Sequence, residues 1–96
     1  MRFVWDEAKN KLNRRKHRLS FETALLIFDD PFAISMLERI VDEEERWQTI
    51  GRAHEMTILL VAHTVHDEDG TELIRLISAR KATARERAVY EEKAKQ

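Results

Sequence analysis

The chain has 96 residues, no cysteine and a formal net charge of -1. It is one domain by size, residues 1–96, with no disulfide framework, no thiolate nucleophile and no thiolate metal site. Hydrophobic residues make up 43%, enough for a core, although a domain this short leaves much surface for a partner to cover. No apolar run approaches the roughly 20 residues of a membrane span, and Met1–Asp6 lacks the apolar segment of a secretory signal. The expectation is a cytoplasmic protein with no membrane contact.

The net charge conceals a segregation. Residues 1–18 carry seven Lys/Arg against two Asp/Glu, residues 19–72 three against thirteen, and residues 73–96 seven against three. Two basic ends flank an acidic middle. If the ends converge in space they form a positive patch suited to a polyanion; solvated helix faces would give the same composition.

Phe3-Val4-Trp5 reads as a short strand. Asp6 then caps a helix over Glu7 to His17, whose only apolar residues at helical spacing are Ala8 and Leu12. The rest is cationic, so this helix is expected at the surface, packed on Ala8 and Leu12. Ser20 is a second cap. Phe21, Ala24, Leu25 and Phe28 follow at i, i+3, i+4 and i+7, a core-facing helical stripe that Asp29-Asp30-Pro31 ends. From residue 32 the pattern is extended: a weak strand from Ala33 to Leu37, a loop of four carboxylates at 42–45, and a strand from Arg46 to Gly51. Met56 to His66 is apolar on both faces and is expected at the sheet centre. Asp67-Glu68-Asp69-Gly70 is a hairpin turn, and Leu73 to Arg80 returns beside it. Thr83-Ala84-Arg85-Glu86 is a capping box opening a last helix, which is expected to fray from Glu91. The order β-α-α-β-β-β-β-α predicts an α+β fold: a small antiparallel sheet packed by two N-terminal helices and one C-terminal helix.

No metal signature is present. His63 and His66 are three apart on a strand and point to opposite faces, and no HExxH or Gly-rich phosphate loop occurs. RNA backbone cleavage needs less machinery. One group takes the 2′-OH proton, one donates to the leaving oxygen, and cations hold the phosphorane. His63, His66, Arg75, Arg80, Lys81, Glu86 and Tyr90 cluster in sequence around one hairpin and one helix. By strand parity Arg75 and Arg80 lie on opposite faces unless a bulge intervenes. Glu86 has a competing structural role in the capping box, and a Tyr on a helix such as Tyr90 or a His in a β-rich run such as His63 is more often a core residue than a catalytic one.

Several motifs then resemble the BrnT toxins. Trp5-Asp6-Glu7, Lys9, Asn13, Lys16-His17, Phe21-Glu22 and Ala24 are similar to the family's opening. Glu45-Arg46 with Ile50-Gly51 resembles its middle segment, and Arg75-Leu76-Ile77-Ser78-Ala79-Arg80-Lys81-Ala82, then Glu86 and Tyr90, its ending. The resemblance implies a RelE-like fold and a metal-independent, cofactor-free endoribonuclease that inhibits translation in a type II toxin–antitoxin module. It implies a BrnA-like antitoxin with a ribbon-helix-helix DNA-binding region, operator DNA reached only through that antitoxin, and a two-plus-two complex. On this reading Arg75, Arg80, His63, His66 and Tyr90 are the catalytic candidates. Lys9, Lys16, His17, Lys81 and Arg85 are the RNA-binding ones. Two departures stand out. Arg18 replaces a frequent Gly after Lys-His, and His63-Thr64-Val65-His66 stands where the family often has Tyr-Thr-x-Arg. The alternative is a catalytically weak relative that serves as an antitoxin-binding co-repressor module.

Overall fold

The computed structural model describes residues 1–95. Its elements are β1 (Arg2–Val4), α1 (Glu7–His17), α2 (Phe21–Ala24) running into a 3-10 helix (Leu25–Asp29), β2 (Ile34–Val41), β3 (Glu44–His54), β4 (Thr57–Glu68), β5 (Thr71–Lys81) and α3 (Ala84–Ala94). The strands form one sheet in the order β1-β5-β4-β3-β2. The α+β layout holds, with one correction: β1 joins β5 in parallel, Phe3 opposite Ile74, so the sheet is mixed. A parallel pair needs a long crossover, and here the intervening chain from α1 to β4 supplies it.

β2 to β5 form an antiparallel meander. The β4–β5 hairpin turns on Asp69 (φ 52°) and Gly70 (φ 81°), the positive-φ pair a tight two-residue turn requires. The β2–β3 hairpin is tighter than the sequence suggested. Val41 pairs with Glu44, so only Asp42 (φ 51°) and Glu43 (φ 67°) make the turn. Glu44 and Glu45 belong to β3, and β2 continues past Leu37 to Val41.

Asp6 caps α1, its carboxylate accepting from the Ala8 N–H at 2.7 Å. The packing face is not the expected one. Leu12 is 60% exposed and Ala8 is exposed too, whereas Asn10 and Asn13 are buried. Asn10 accepts from the Phe21 N–H at 2.9 Å and donates to Glu22 Oε1 at 2.9 Å. Asn13 accepts from the Ala79 N–H at 3.1 Å and donates to the carbonyls of Ala79 and Leu19, both at 2.8 Å. The cause is the shortness of β1. It pairs only with residues 73–75, so β5 beyond them has buried backbone groups without a strand partner. These must be paired, and the Asn13 amide offers one donor and one acceptor side by side.

The second helix also departs from the 3.6-residue stripe. The fully buried residues are Phe21, Ala24 and Ile27, three apart, while Leu25 and Phe28 are only partly buried against them. A 3-10 helix has three residues per turn, and α2 passes into one at Leu25. Ile27 then sits so close to β3 that a Cβ on Gly51 would lie 2.8 Å from the Ile27 Cβ. In α3 the capping box forms as expected, and the helix continues through Glu91 and Glu92 to Ala94 rather than fraying.

Two apolar clusters lie on opposite sides of the sheet. Phe21, Ala24, Ile27, Leu59, Val61, Ile74, Leu76 and Ala79 form the larger one beneath α2 and the 3-10 helix. Ile50, Ile58, Leu60 and Tyr90 form the smaller one beneath α3. The remainder of this second face is not covered by a helix, and it is called the open face below.

Candidate active site

The open face gains its chemistry from a bulge. Ala62 pairs with Ser78 but His63 pairs with Leu76, leaving Ile77 as an extra residue in β5. Cross-strand partners share a face. Arg75 lies opposite Thr64 and Arg80 opposite Leu60, and these partners are four apart on β4. Both arginines therefore point to the open face. Parity alone predicts the opposite; the bulge resets the alternation between them.

Register then orders the open face into rows across the strands. Arg39, Arg46, Thr64 and Arg75 form one row, and Met36, Gln48, Ala62 and Ser78 the next. Arg39 reaches this row because Glu38 is itself a bulge residue, the register shifting between Leu37 and Arg39. A third row, Ile34, Ile50, Leu60 and Arg80, meets α3, which forms a wall. Ala62 is the small residue at the centre. A cavity of about 260 Å³ lies here, lined by Arg39, Arg46, Gln48, Ala62, Ser78 and others. With strands about 4.8 Å apart, the backbones of Arg46 and Arg75 flank Thr64 at about 10 Å.

Glu44 ties this row together. Its Oε1 accepts from Arg75 Nη2 at 2.8 Å and lies 4.0 Å from Arg46 Nη2. The Arg46 Nε is buried with no hydrogen-bond partner, so one directed donor is unspent. One step beyond the Glu45–Val65 pair, the same register sets Glu44 beside His66, which is exposed. The open face thus brings together Arg75, His66, Arg46, Arg39 and a carboxylate. Arg39, Arg46 and Glu44 were not among the sequence candidates; their signal was the Glu45-Arg46 segment combined with a register that no single strand reveals.

Arg80 is on this face but engaged. Its guanidinium forks onto Glu86, Nη1 to Oε1 at 2.7 Å and Nη2 to Oε2 at 3.0 Å, while Glu86 Oε1 also accepts from the Thr83 N–H at 2.9 Å. The Arg80 hydrogen bonds hold the Glu86 carboxyl down to about 2, against the opposing effect of partial burial. Tyr90 is buried, and its hydroxyl donates to Asp30 Oδ2 at 2.6 Å. Asp30 also accepts the backbone N–H groups of Phe32 and Arg52. Burial raises the Asp30 carboxyl, but these bonds outweigh it and the net shift is downward. Burial and the bond to Asp30 push the Tyr90 hydroxyl up. Arg80–Glu86, Tyr90–Asp30 and Arg87 Nη2, which donates to the Met56 carbonyl at 2.6 Å, tie α3 to the rest of the fold.

His63 lies on the other side. It is 3% exposed, with Phe28 edge-on at 5.3 Å. Its Nδ1 faces the Thr64 carbonyl at 3.2 Å and its Nε2 the Thr49 hydroxyl at 2.7 Å. A carbonyl only accepts, so Nδ1 carries the proton and Nε2 accepts from Thr49; Thr49 in turn contacts the Ser35 hydroxyl at 2.8 Å. Burial lowers the His63 ring below its ordinary value. His63 borders the open-face cavity through its place in β4, but its ring is turned to the opposite side of the sheet, whereas by register the His66 side chain shares the face of the arginines.

The cationic face of α1 borders the site at the bulge. Lys9, Leu12, Lys16 and His17 line a second depression with Ile77 and Ser78, and Ile77 and Ser78 also line the first. Lys81, opposite Leu59, points to the helix-covered face, and Arg85 is exposed on the first turn of α3. These two stand apart from the arginine row. Among the described residues no three His, Asp or Glu side chains converge as metal ligands.

Comparison with known proteins gives a family and a fold. The family model described as "Ribonuclease toxin, BrnT, of type II toxin-antitoxin system" matches residues 5–86. The 1.1 Å crystal structure of the Brucella abortus ribonuclease toxin BrnT superposes with a TM-score of 0.59 at 25% identity, covering 86% of this chain and 97% of that one. No curated protein matches the sequence.

Proposed function

This chain belongs to the BrnT family of ribonuclease toxins from type II toxin–antitoxin systems, and we propose that it cleaves RNA on the open face of its sheet without a metal. The supporting observation is the row Arg39, Arg46, Thr64 and Arg75 with Glu44 and His66 beside it. Arg46 and Arg75 would hold the scissile phosphate, whose oxygens replace Glu44 on the Arg75 fork. Arginine suits this task because its planar donors address two oxygens at once. As the 2′ oxygen attacks, the extra negative charge falls on the same guanidinium groups. His66, exposed and adjacent, is the proton-transfer group. Arg80 and Tyr90 act at one remove by holding α3 as the wall of the site. Lys9, Lys16 and His17 extend the cationic surface past the bulge and would carry the flanking RNA backbone, with Arg85 contributing at the α3 end and Lys81, on the opposite side of the sheet, left out.

The finer family reading accompanies this site: a RelE-like toxin in the cytoplasm that arrests translation, neutralised by a BrnA-like antitoxin with a ribbon-helix-helix region, two copies of each. The test is cleavage of a single-stranded RNA by purified protein, with and without EDTA. Cleavage persists in EDTA. Arg46→Ala and Arg75→Ala each lower the rate about 100-fold or more, the usual scale for a transition-state donor. His66→Ala lowers it by a similar or smaller factor and alters the pH profile. Wild-type rates in both arginine variants would remove the open face as the site.

A further inference from the structure

We infer that the face opposite the arginine row is the docking site for a basic amphipathic helix of the antitoxin. α2 and the 3-10 helix cover that side of the sheet only in part. At the end nearest the β2–β3 and β4–β5 turns, register leaves Leu37, Ile40, Trp47 and Val65 on one surface. Leu37 is 48% and Ile40 62% exposed. Trp47 satisfies its indole N–H on Glu45 Oε1 at 3.1 Å, so the ring needs no further polar partner. A cavity of about 220 Å³ opens here between Phe28, Trp47, Val65 and Ile74. A sheet face that lacks part of its helical layer is completed by packing another helix there.

Charge selects the occupant. The strand residues that share this surface include Glu45, Asp67 and Glu72. Among the described strand positions on this side of the sheet the one Lys or Arg is Lys81, which pairs with Leu59 at the far end from this apolar patch. The arginines of the same strands are on the open face. The acidic middle of the chain is thus sorted by strand alternation into a cationic side and an apolar side rimmed by carboxylates. RNA is repelled from the second. A second copy of this chain is disfavoured as well, because a two-fold interface sets the same patch against itself and would oppose carboxylates. A helix with an apolar ridge and flanking Lys or Arg complements both features. β2 is the sheet edge and carries Leu37 and Ile40 on one side and Arg39 on the other, so a helix seated there also crowds the rim of the RNA face. The inference rests on the family's having an antitoxin partner.

The experiment is calorimetric titration of the full chain with the purified antitoxin encoded beside it. The paired variants are L37E/I40E, E45K/E72K and R39A/R75A. L37E/I40E weakens binding at least 30-fold, the scale of a central hot spot, and leaves RNA cleavage unchanged. E45K/E72K, at exposed positions, weakens binding about 10-fold and flattens its salt dependence. R39A/R75A binds as the wild type does. Wild-type affinity in both L37E/I40E and E45K/E72K, with loss in R39A/R75A, overturns the site and moves the antitoxin to the arginine row. A self-association of the wild type that L37E/I40E abolishes also overturns it, in favour of a second copy. Failure of the wild type to bind overturns it together with the partner reading, whereas the previous two outcomes leave that reading standing.

Discussion

Replacing Asn13 by Ala tests how α1 is attached. The Asn13 amide makes three hydrogen bonds, one from the Ala79 N–H and one each to the carbonyls of Ala79 and Leu19. Ala79 is 0% exposed, so water cannot replace the lost partner. A buried polar group left unpaired costs about 1–3 kcal/mol, and the variant strands two on Ala79. The expected loss is about 3 kcal/mol, a large share of the roughly 5–15 kcal/mol available to such a domain. Urea unfolding followed by circular dichroism, with a slope of about 1–1.5 kcal/mol per molar, shows it as a midpoint lower by about 2 M or more. Leu12→Ala is the control: Leu12 is 60% exposed, and the change stays within about 0.5 kcal/mol. Asn13→Asp keeps an acceptor for the Ala79 N–H but sets a carboxylate against two carbonyl oxygens. It is at least as destabilised at neutral pH and partly recovers in acid, where a protonated carboxyl donates one bond. A larger loss from Leu12→Ala than from Asn13→Ala would refute the assignment of the buried face of α1.

Arg18 closes α1 at φ 57°, a left-handed conformation that costs a side-chain-bearing residue about 1–2 kcal/mol. Arg18→Gly is therefore expected to stabilise the protein by about 1 kcal/mol, read as a melting temperature raised by about 4–8 °C. Glu86→Gln removes the charge from the Arg80 fork and, after allowance for solvent screening, costs about 1–2 kcal/mol at neutral pH in chemical denaturation. In the wild type this carboxyl is depressed from 4.5 to about 2 on folding. Its stabilisation is complete above about pH 4.5 and fades as pH falls toward 2, so the advantage over Glu86→Gln shrinks across that window. His63 is also depressed, by burial. The unfolded ring takes up a proton near pH 6.5 that the folded one refuses, so stability falls as pH drops below about 6.5. In His63→Leu this part of the slope between pH 7 and 5 disappears, whatever the change in absolute stability.

Local chemistry was legible where a single segment determines it. Asp6, Ser20 and Thr83 cap their helices through their own side chains, Asp69-Gly70 turns its hairpin, and the apolar run in β4 is central. Hidden features depend on what lies across from a residue. Leu12 and Asn13 are adjacent, and composition assigns Leu12 to the core. Only the short β1, which leaves the Ala79 backbone unpaired, makes the amide the better buried partner. Likewise the spacing of Phe21, Ala24 and Leu25 fits an α-helix, whereas Gly51 lets Ile27 approach β3 at a distance no other side chain permits, and the segment tightens to three residues per turn.

The candidate site has the same character at larger scale. Arg75 and Arg80 are separated by an odd number of steps, and a regular strand would place them on opposite sides. Ile77 adds one residue to β5 and nothing to β4. That single insertion moves Arg75 onto the face that already holds Arg80, Ser78 and Thr64. Glu38 does the same for Arg39 in β2. Had both strands been regular, Arg75 and Arg39 would have faced the side that carries Glu45, and Glu72 would have moved onto the open face in place of Arg75. The two bulges convert a sheet of mixed charge into one with a cationic face and an acidic, apolar one. Reading either bulge from sequence requires the partner strand's register, which is why strand parity alone separates the very residues the fold brings together.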